Sequence, residues 1–185
     1  MTPAQFFSKY AFYAIINGSL SKVPPSITLA QAALESGYGR YATGNNFFGI
    51  KADASWNGPT FCSDTLEDYG SGYVTINDCF RKYATPFGSF RDHARFLHEN
   101  SRYDDLFELP FNDYQAWCYG LKQNGYATAP DYAQKLLNII DSNNLQKYDV
   151  IAEAIRTLVI VAVVVTVVYF SAVLLKKKGL VNLPV

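Results

Sequence analysis

Apolar and polar positions follow one another along this chain with two different periods and, near its end, with none. Thr2-Pro3-Ala4-Gln5 combines a capping hydroxyl, proline at the first helical position and glutamine three residues after the cap. The pattern predicts a helix from there to about Asn17, stopped by Gly18. Pro24-Pro25-Ser26 opens a second helix that ends near Ser36. Residues 45–55 read as a loop. From Thr60 to Tyr83 apolar and polar residues alternate on either side of Gly70-Ser71-Gly72, which predicts a β-hairpin. Ser89 with Asp92 is expected to cap a helix reaching about Asn100, with Phe90, Ala94 and Leu97 on one face. Asn112 with Gln115 opens the next, ending at Gly125, and Asp131 to about Asn143 forms the last. Helices around a single hairpin predict a mainly helical α+β domain over residues 1–148.

Residues 158–175 read LVIVAVVVTVVYFSAVLL, eighteen positions without a charge. As a helix they extend about 27 Å, close to the hydrocarbon thickness of a bilayer. A soluble core helix of this length normally keeps a polar face. The expectation is a single transmembrane helix with its basic flank over residues 155–178, a short linker at 149–154 and a tail at 179–185. Residues 1–20 are amphipathic and lack the basic start and apolar run of a signal peptide, so the chain is expected to be anchored by its C-terminal part. Lys176-Lys177-Lys178, read by the positive-inside rule, point to the cytoplasm and put the domain on the other side, while no segment that would export the domain is evident, so both orientations stay open.

A formal net charge of +0 hides a small asymmetry, because residues 1–148 hold 12 Lys+Arg against 14 Asp+Glu. Such a domain lacks the basic footprint that nucleic acid requires. The 14 Tyr and 13 Phe are expected to build an aromatic core, with some left to line a cleft. Cys62, Cys79 and Cys118 fit no zinc spacing, and no metal or cofactor site is expected. Cys62 and Cys79 lie symmetrically about Gly70-Ser71. A two-residue turn there places them opposite one another, which allows a cross-strand disulfide and leaves a pair of free thiols as the alternative. Cys118 is expected to be a buried free thiol. His93 and His98, five apart, share no helix face and are expected at the surface or the edge of the core.

The chemistry concentrates at Glu35. This carboxylate ends an otherwise apolar helix and a glycine-rich turn, Gly37-Tyr38-Gly39, follows at once. Charged groups are rarely put in such surroundings for packing. The helix C-terminus and the apolar neighbours both disfavour ionisation, which would keep Glu35 protonated near neutral pH as a general acid must be.

Three motifs occur in order: Gln31-Ala32-Ala33-Leu34-Glu35-Ser36-Gly37-Tyr38-Gly39, then Asn45-Asn46-Phe47-Phe48-Gly49-Ile50-Lys51, then Gly125-Tyr126-Ala127-Thr128-Ala129-Pro130-Asp131-Tyr132. Together they resemble glycoside hydrolase family 73, the peptidoglycan-cleaving glucosaminidases that include the flagellar and autolysin enzymes. The resemblance runs over residues 3–148. It implies a lysozyme-like fold with the hairpin as a small lobe over the cleft, glycan strands of peptidoglycan as substrate, and Glu35 as catalytic acid.

A second catalytic group is left open. Thr65-Leu66-Glu67 matches the family's Thr-x-Glu, which points to Glu67 as base for a water, with Asp64 and Asp68 as alternatives and the substrate's own N-acetyl group as another. The family pattern sets Tyr126 beside the acid. Where the family has Tyr-Ala-Thr-Asp-Pro, this chain carries Ala129 in place of the aspartate. Asn46, Phe48, Trp56 and Tyr83 are candidates for substrate binding; turn chemistry also suits Asn46, and core packing suits Phe48. The resulting expectation is a membrane-anchored endo-β-N-acetylglucosaminidase, with muramidase, lytic transglycosylase or a non-catalytic wall-binding protein as alternatives. Its setting is a bacterial envelope or the virion of a bacteriophage with an internal membrane, with envelope or virion proteins as further partners.

Overall fold

The computed structural model of the protein describes residues 1–68 and 73–177. The expected turn at Gly70-Ser71-Gly72, Lys178 and the tail at 179–185 lie outside the described residues, as do the side chains of 65–68, 73, 74 and 176. Helices α1 (Pro3–Ser21) and α2 (Pro25–Ser36) come first, followed by a 3-10 turn at Thr43–Asn45 and a hairpin of β1 (Thr60–Asp68) and β2 (Tyr73–Arg81). Helix α3 (Pro86–Glu99), a 3-10 segment at Ser101–Glu108, α4 (Tyr114–Gln123) and α5 (Tyr132–Ser142) complete the domain, and α6 (Lys147–Lys177) leaves it.

Helix α1 opens with the expected capping box: Gln5 N donates to Thr2 Oγ1 at 3.3 Å and Thr2 N donates to Gln5 Oε1 at 2.9 Å. It runs past Gly18 to a left-handed cap at Lys22 (φ 62°). Gly18 is not the stop signal; a Cβ there would lie 2.7 Å from the Val23 carbonyl oxygen and 2.8 Å from the Pro25 ring. Glycine is required there by the close return of the chain into α2.

An aromatic core joins α1, the loop after α2 and α3. Tyr10 lies 4.9 Å from Phe6 and 4.8 Å from Phe47, and Phe47 lies 5.7 Å from Phe90, centroid to centroid. Ser89 and Asp92 do not cap α3, as the sequence pattern had it; Thr85 does, accepting from Gly88 N at 3.2 Å. Ser89 instead accepts from Phe47 N at 3.1 Å. Asp92 Oδ2 accepts from Arg81 Nη1 at 3.0 Å and from the Tyr83 hydroxyl at 2.7 Å. These buried bonds tie the base of the hairpin to α3. Residues 50–52 extend that base, since Ala52 N donates to Cys79 O at 2.8 Å and Arg81 N to Ile50 O at 3.0 Å.

The strands pair antiparallel with Cys62 opposite Cys79, and a disulfide joins the two. Of the two readings open in the sequence, the structure has the bridge. Cys118 is a buried free thiol, pushed up to about 12 by burial.

The first turns of α6 belong to the domain: Asp149 and Ala152 are buried, and Asp149 accepts from the backbone N–H and hydroxyl of Ser26 at 2.7 and 2.6 Å. Residues 149–154 are therefore helical and continuous with the apolar stretch. From Leu158 onward the large apolar side chains of α6 are exposed. This helix is long and apolar enough to cross a membrane.

Candidate active site

Glu35 sits in the last turn of α2, where the helix must stop at once. Gly37 takes the left-handed conformation (φ 56°), and a Cβ on it would lie 2.7 Å from the Tyr41 ring. Ser36 fixes the same turn, donating to Ala32 O at 2.5 Å and accepting from Gly39 N at 2.8 Å. The Glu35 carboxyl is thereby held at the edge of a cavity of about 180 Å³ that runs beneath the hairpin, with Phe61, Ser63 and Phe80 on one side and Asn46 and Gly49 on the other.

Among the described residues, one hydrogen bond reaches this carboxyl. The Tyr132 hydroxyl, at the start of α5, donates to Glu35 Oε1 over 3.1 Å. Desolvation raises the Glu35 pKa above the ordinary carboxylate value of 4.5, and the Tyr132 bond opposes that rise. The side chain keeps one face open to solvent, as proton delivery to a ligand requires. Burial, one of the two causes expected from the sequence, is the one that raises it.

Tyr126 lies one ring further on. It stacks on Tyr132 with centroids 5.8 Å apart and planes 20° apart. Burial first, and then the Glu35 charge, push its hydroxyl well above the usual phenol range, so it stays protonated. Tyr126 lines a second cavity of about 430 Å³ with Phe48, Arg102 and Tyr103, and this cavity also reaches Gly49. Gly49 (φ 62°) has nothing within 4 Å of where a Cβ would stand, consistent with a groove floor common to both cavities.

The other expected site residues separate into those in the groove and those elsewhere. Phe48 is buried, stacked on His93 at 4.0 Å, and reaches the groove wall at Tyr126. Asn46 is fully occupied: its amide nitrogen donates to Ile50 O and Arg81 O, both at 3.0 Å, and its oxygen accepts from Phe48 N and Ile50 N. It braces the loop and has no free amide valence for a sugar. Trp56 and Tyr83 pack edge to face at 5.6 Å and line a different cavity, of about 370 Å³, without Glu35. The Glu67 backbone pairs with Val74 in the hairpin, but its side chain lies outside the described residues. Asp64 is bonded to Asn77 Nδ2 at 2.9 Å.

His93 corrects the sequence expectation outright: it is fully buried, with Nε2 2.9 Å from Gln31 Oε1. His98 Nε2 lies 2.6 Å from Ser21 O, and the ring stacks on Phe107 at 4.0 Å. Among the described residues no group of His, Cys, Asp and Glu side chains could hold a metal ion. Tyr132 and Gln31 escaped the sequence reading as site residues. A signal existed for Gln31, a polar residue four positions before Glu35 on an apolar helix and so on the same face.

Residues 11–145 match the glucosaminidase family, described as mannosyl-glycoprotein endo-beta-N-acetylglucosaminidase. The chain belongs to this family. Among curated relatives, peptidoglycan hydrolase FlgJ of Vibrio parahaemolyticus is 38% identical over 150 residues, covering 75% of this chain and 48% of the relative. Exo-glucosaminidase LytG of Bacillus subtilis is 35% identical over 141 residues, covering 73% of this chain and 49% of the relative. The chain thus spans about half the length of these relatives. Among solved structures, the glycoside hydrolase domain of Salmonella typhimurium FlgJ in a C-terminally truncated form superposes with a TM-score of 0.63 at 30% identity, covering 77% of this chain and 98% of that one. The catalytic domain of the Listeria monocytogenes autolysin Auto gives a TM-score of 0.65 at 33% identity, covering 79% of this chain and 86% of that one. The glucosaminidase family, the mainly helical fold and the hairpin lobe agree with the resemblance seen in the motifs.

Proposed function

We propose that this glucosaminidase-family chain hydrolyses the β-1,4 bond after N-acetylglucosamine in peptidoglycan, with Glu35 as general acid, while α6 anchors it in a membrane. The observation that carries the reading is the Glu35 carboxyl. It is open to solvent on one side and partly desolvated on the other, raised in pKa, held among the described residues by one tyrosine, and set in a groove between the helical body and the hairpin. That environment suits a carboxylic acid that must be protonated at rest and charged afterwards.

Two groups are candidates to handle the water or the cationic centre. Glu67 falls in the same alternate series along β1 as Phe61 and Ser63, which line the Glu35 cavity. The substrate's N-acetyl group is the other. Turnover of Glu67→Gln decides between them: a strong loss assigns the base to Glu67, and a small effect assigns it to the substrate. Tyr126, one ring from Tyr132, orders the sugar or the water.

Anchoring rests on the exposed apolar surface of α6 and its length. The Cys62–Cys79 bridge supports an oxidising compartment for the domain. The lysines that close α6 then lie on the cytoplasmic side, which agrees with a wall substrate met outside the membrane. The setting is the cell envelope or the membrane of a lipid-containing virion. Residues 149–154 are helical and packed, so the groove has little reach, and the substrate must come close to the membrane surface. Carbonate extraction of the membrane-expressed chain tests the anchor: a chain that stays in the pellet supports it, and one released to the supernatant removes it.

A further inference from the structure

A file of hydrogen bonds leads from the core to the cleft. His93 Nε2 lies 2.9 Å from Gln31 Oε1, Gln31 Nε2 donates to the Tyr132 hydroxyl at 3.0 Å, and Tyr132 donates to Glu35 Oε1 at 3.1 Å. Gln31 and His93 are 0% exposed. Polar side chains at such depth cost stability unless they are paired, and His93 Nδ1 has no partner among the described residues. Apolar residues of the same size would fill this space without that cost.

The file has a direction. Desolvation pulls the His93 pKa down to about 3, so the imidazole is neutral and carries one proton. With that proton on Nε2, His93 donates to Gln31 Oε1. The amide then presents its N–H to Tyr132, whose oxygen accepts. The tyrosine proton is left with one acceptor, Glu35. The reversed file would put the His93 proton on Nδ1, where no acceptor stands, and would turn the Tyr132 lone pairs against the Glu35 carboxylate.

We infer that Gln31 and His93 are positioning residues that hold Tyr132 as a fixed donor to Glu35 Oε1, so that the acid proton resides on Oε2. The inference rests on Glu35 being the general acid. Oε2 has no partner among the described residues and is the oxygen free to meet a glycosidic oxygen. In the transfer the Oε2–H bond breaks and the proton passes to the leaving oxygen, which also takes the electron pair of the broken C–O bond. Glu35 is left as a carboxylate, with Tyr132 already aimed at it. Among the described residues, the other groups facing this carboxyl are few. Tyr126, ahead of α5, stays a neutral phenol, and Tyr41, after α2, lines the same cavity. Among the described hairpin side chains, Phe61, Ser63 and Phe80 bring no charge; Glu67, further along β1, is the candidate base whose charge would act on Glu35 in wild type and variants alike.

The test is a titration of Glu35 in the full chain in detergent micelles, labelled with carboxyl-¹³C glutamate and assigned by difference against Glu35→Gln. Tyr132→Phe should raise the Glu35 pKa by roughly one pH unit, the effect of removing one bond to a charged group. Gln31→Met and His93→Phe, at positions that line neither cavity of the groove and have no hydrogen bond to Glu35, should raise it in the same direction by about half as much or more. The alkaline limb of kcat should move with the titration, kcat should fall, and KM should stay. His93→Gln keeps an N–H for Gln31 and should restore the wild-type titration. A merely structural role lowers melting temperature in these variants and leaves the Glu35 titration where it was. An unmoved titration in both Gln31→Met and His93→Phe overturns the relay while the acid assignment stands. Activity retained in Glu35→Gln overturns the acid assignment and the role given to the relay with it. If His93→Phe does not fold, Gln31→Met, nearly identical in shape to the native side chain, decides alone.

Discussion

Asp149 ties the apolar helix to the catalytic body, and its titration should be visible in the stability of the whole domain. It is 1% exposed and accepts from the Ser26 backbone N–H and hydroxyl at 2.7 and 2.6 Å. It caps the N-terminus of α2, whose own N-cap position is Pro24 with no side-chain bond. Burial outweighs the two Ser26 bonds and raises the carboxyl from 3.8 to about 7. The folded chain therefore binds this proton more tightly than the unfolded chain does. The contribution is fully present below about 3.8 and is lost as pH rises through about 7. Each pH unit in that interval is worth at most roughly 1.4 kcal/mol, so the whole interval is bounded at about 4 kcal/mol. Asp149→Asn keeps the shape and the acceptor for Ser26 N while removing the titration. Unfolding of the full chain in non-ionic detergent can be followed by the fluorescence of Trp117, which is 1% exposed in the folded domain. From about pH 5 to about pH 7 the wild type should lose stability relative to Asp149→Asn, the variant ending as the more stable of the two; the buried neutral His93 adds the same rise with pH, up to about 6.5, to both curves and cancels in their difference. Asp149→Ala, which removes the cap, should cost about 1–2 kcal/mol at the acid end. Parallel curves for wild type and Asp149→Asn would refute the reasoning. They would mean that the Ser26 bonds and the helix N-terminus hold the carboxylate as an anion.

Further outcomes follow from the same contacts. Arg81 is buried between Asp92 Oδ2 at 3.0 Å and Asp53 Oδ2 at 3.3 Å, so Asp92→Ala leaves a buried guanidinium without its best partner. Chemical denaturation should show a loss of about 3–5 kcal/mol, and a loss under about 1 kcal/mol would mean that the hairpin base is not held by this pair. Native protein should resist thiol-specific reagents and unfolded protein should expose a single thiol, because Cys62 and Cys79 are bridged and Cys118 is buried with its thiol raised to about 12. Labelling of three thiols in the unfolded, unreduced chain would contradict the bridge. A chain ended after residue 157 should be soluble and folded, since the continuous run of exposed apolar side chains begins at Leu158, whereas one ended at residue 148 loses Asp149 and the buried Ala152 and should melt lower. Equal melting temperatures for the two fragments would show that α6 adds nothing to the domain.

Elements whose signals are local were legible from the sequence. The capping box at Thr2 and the glycine stop at Gly37 follow from residues a few positions apart, and the register that opposes Cys62 to Cys79 follows from their symmetry about one turn. Errors arose where a residue answers to a distant neighbour. Gly18 reads as a helix stop but is dictated by the approach of Pro25. Ser89 and Asp92 read as a cap but serve Phe47, Arg81 and Tyr83. The 3-10 segment at Ser101–Glu108, eight residues directly after α3, went unread. At the site, Glu35 stood out as a lone charge on an apolar helix. Tyr132 and His93 did not, because their significance lies in a file of bonds that joins α2, α3 and α5 across the core.

The central claim is that Glu35 delivers a proton to a bond that follows N-acetylglucosamine. Purified peptidoglycan digested by the full chain, reduced with borohydride and resolved as muropeptides tests it most directly. The wild type should yield reduced N-acetylglucosamine ends and no anhydro-muramic ends. Glu35→Gln, folded but without a transferable proton, should yield neither above background, a loss on the order of 100-fold or more. Reduced or anhydro-muramic ends from the wild type, or a Glu35→Gln rate above about a tenth of wild type, would contradict the account.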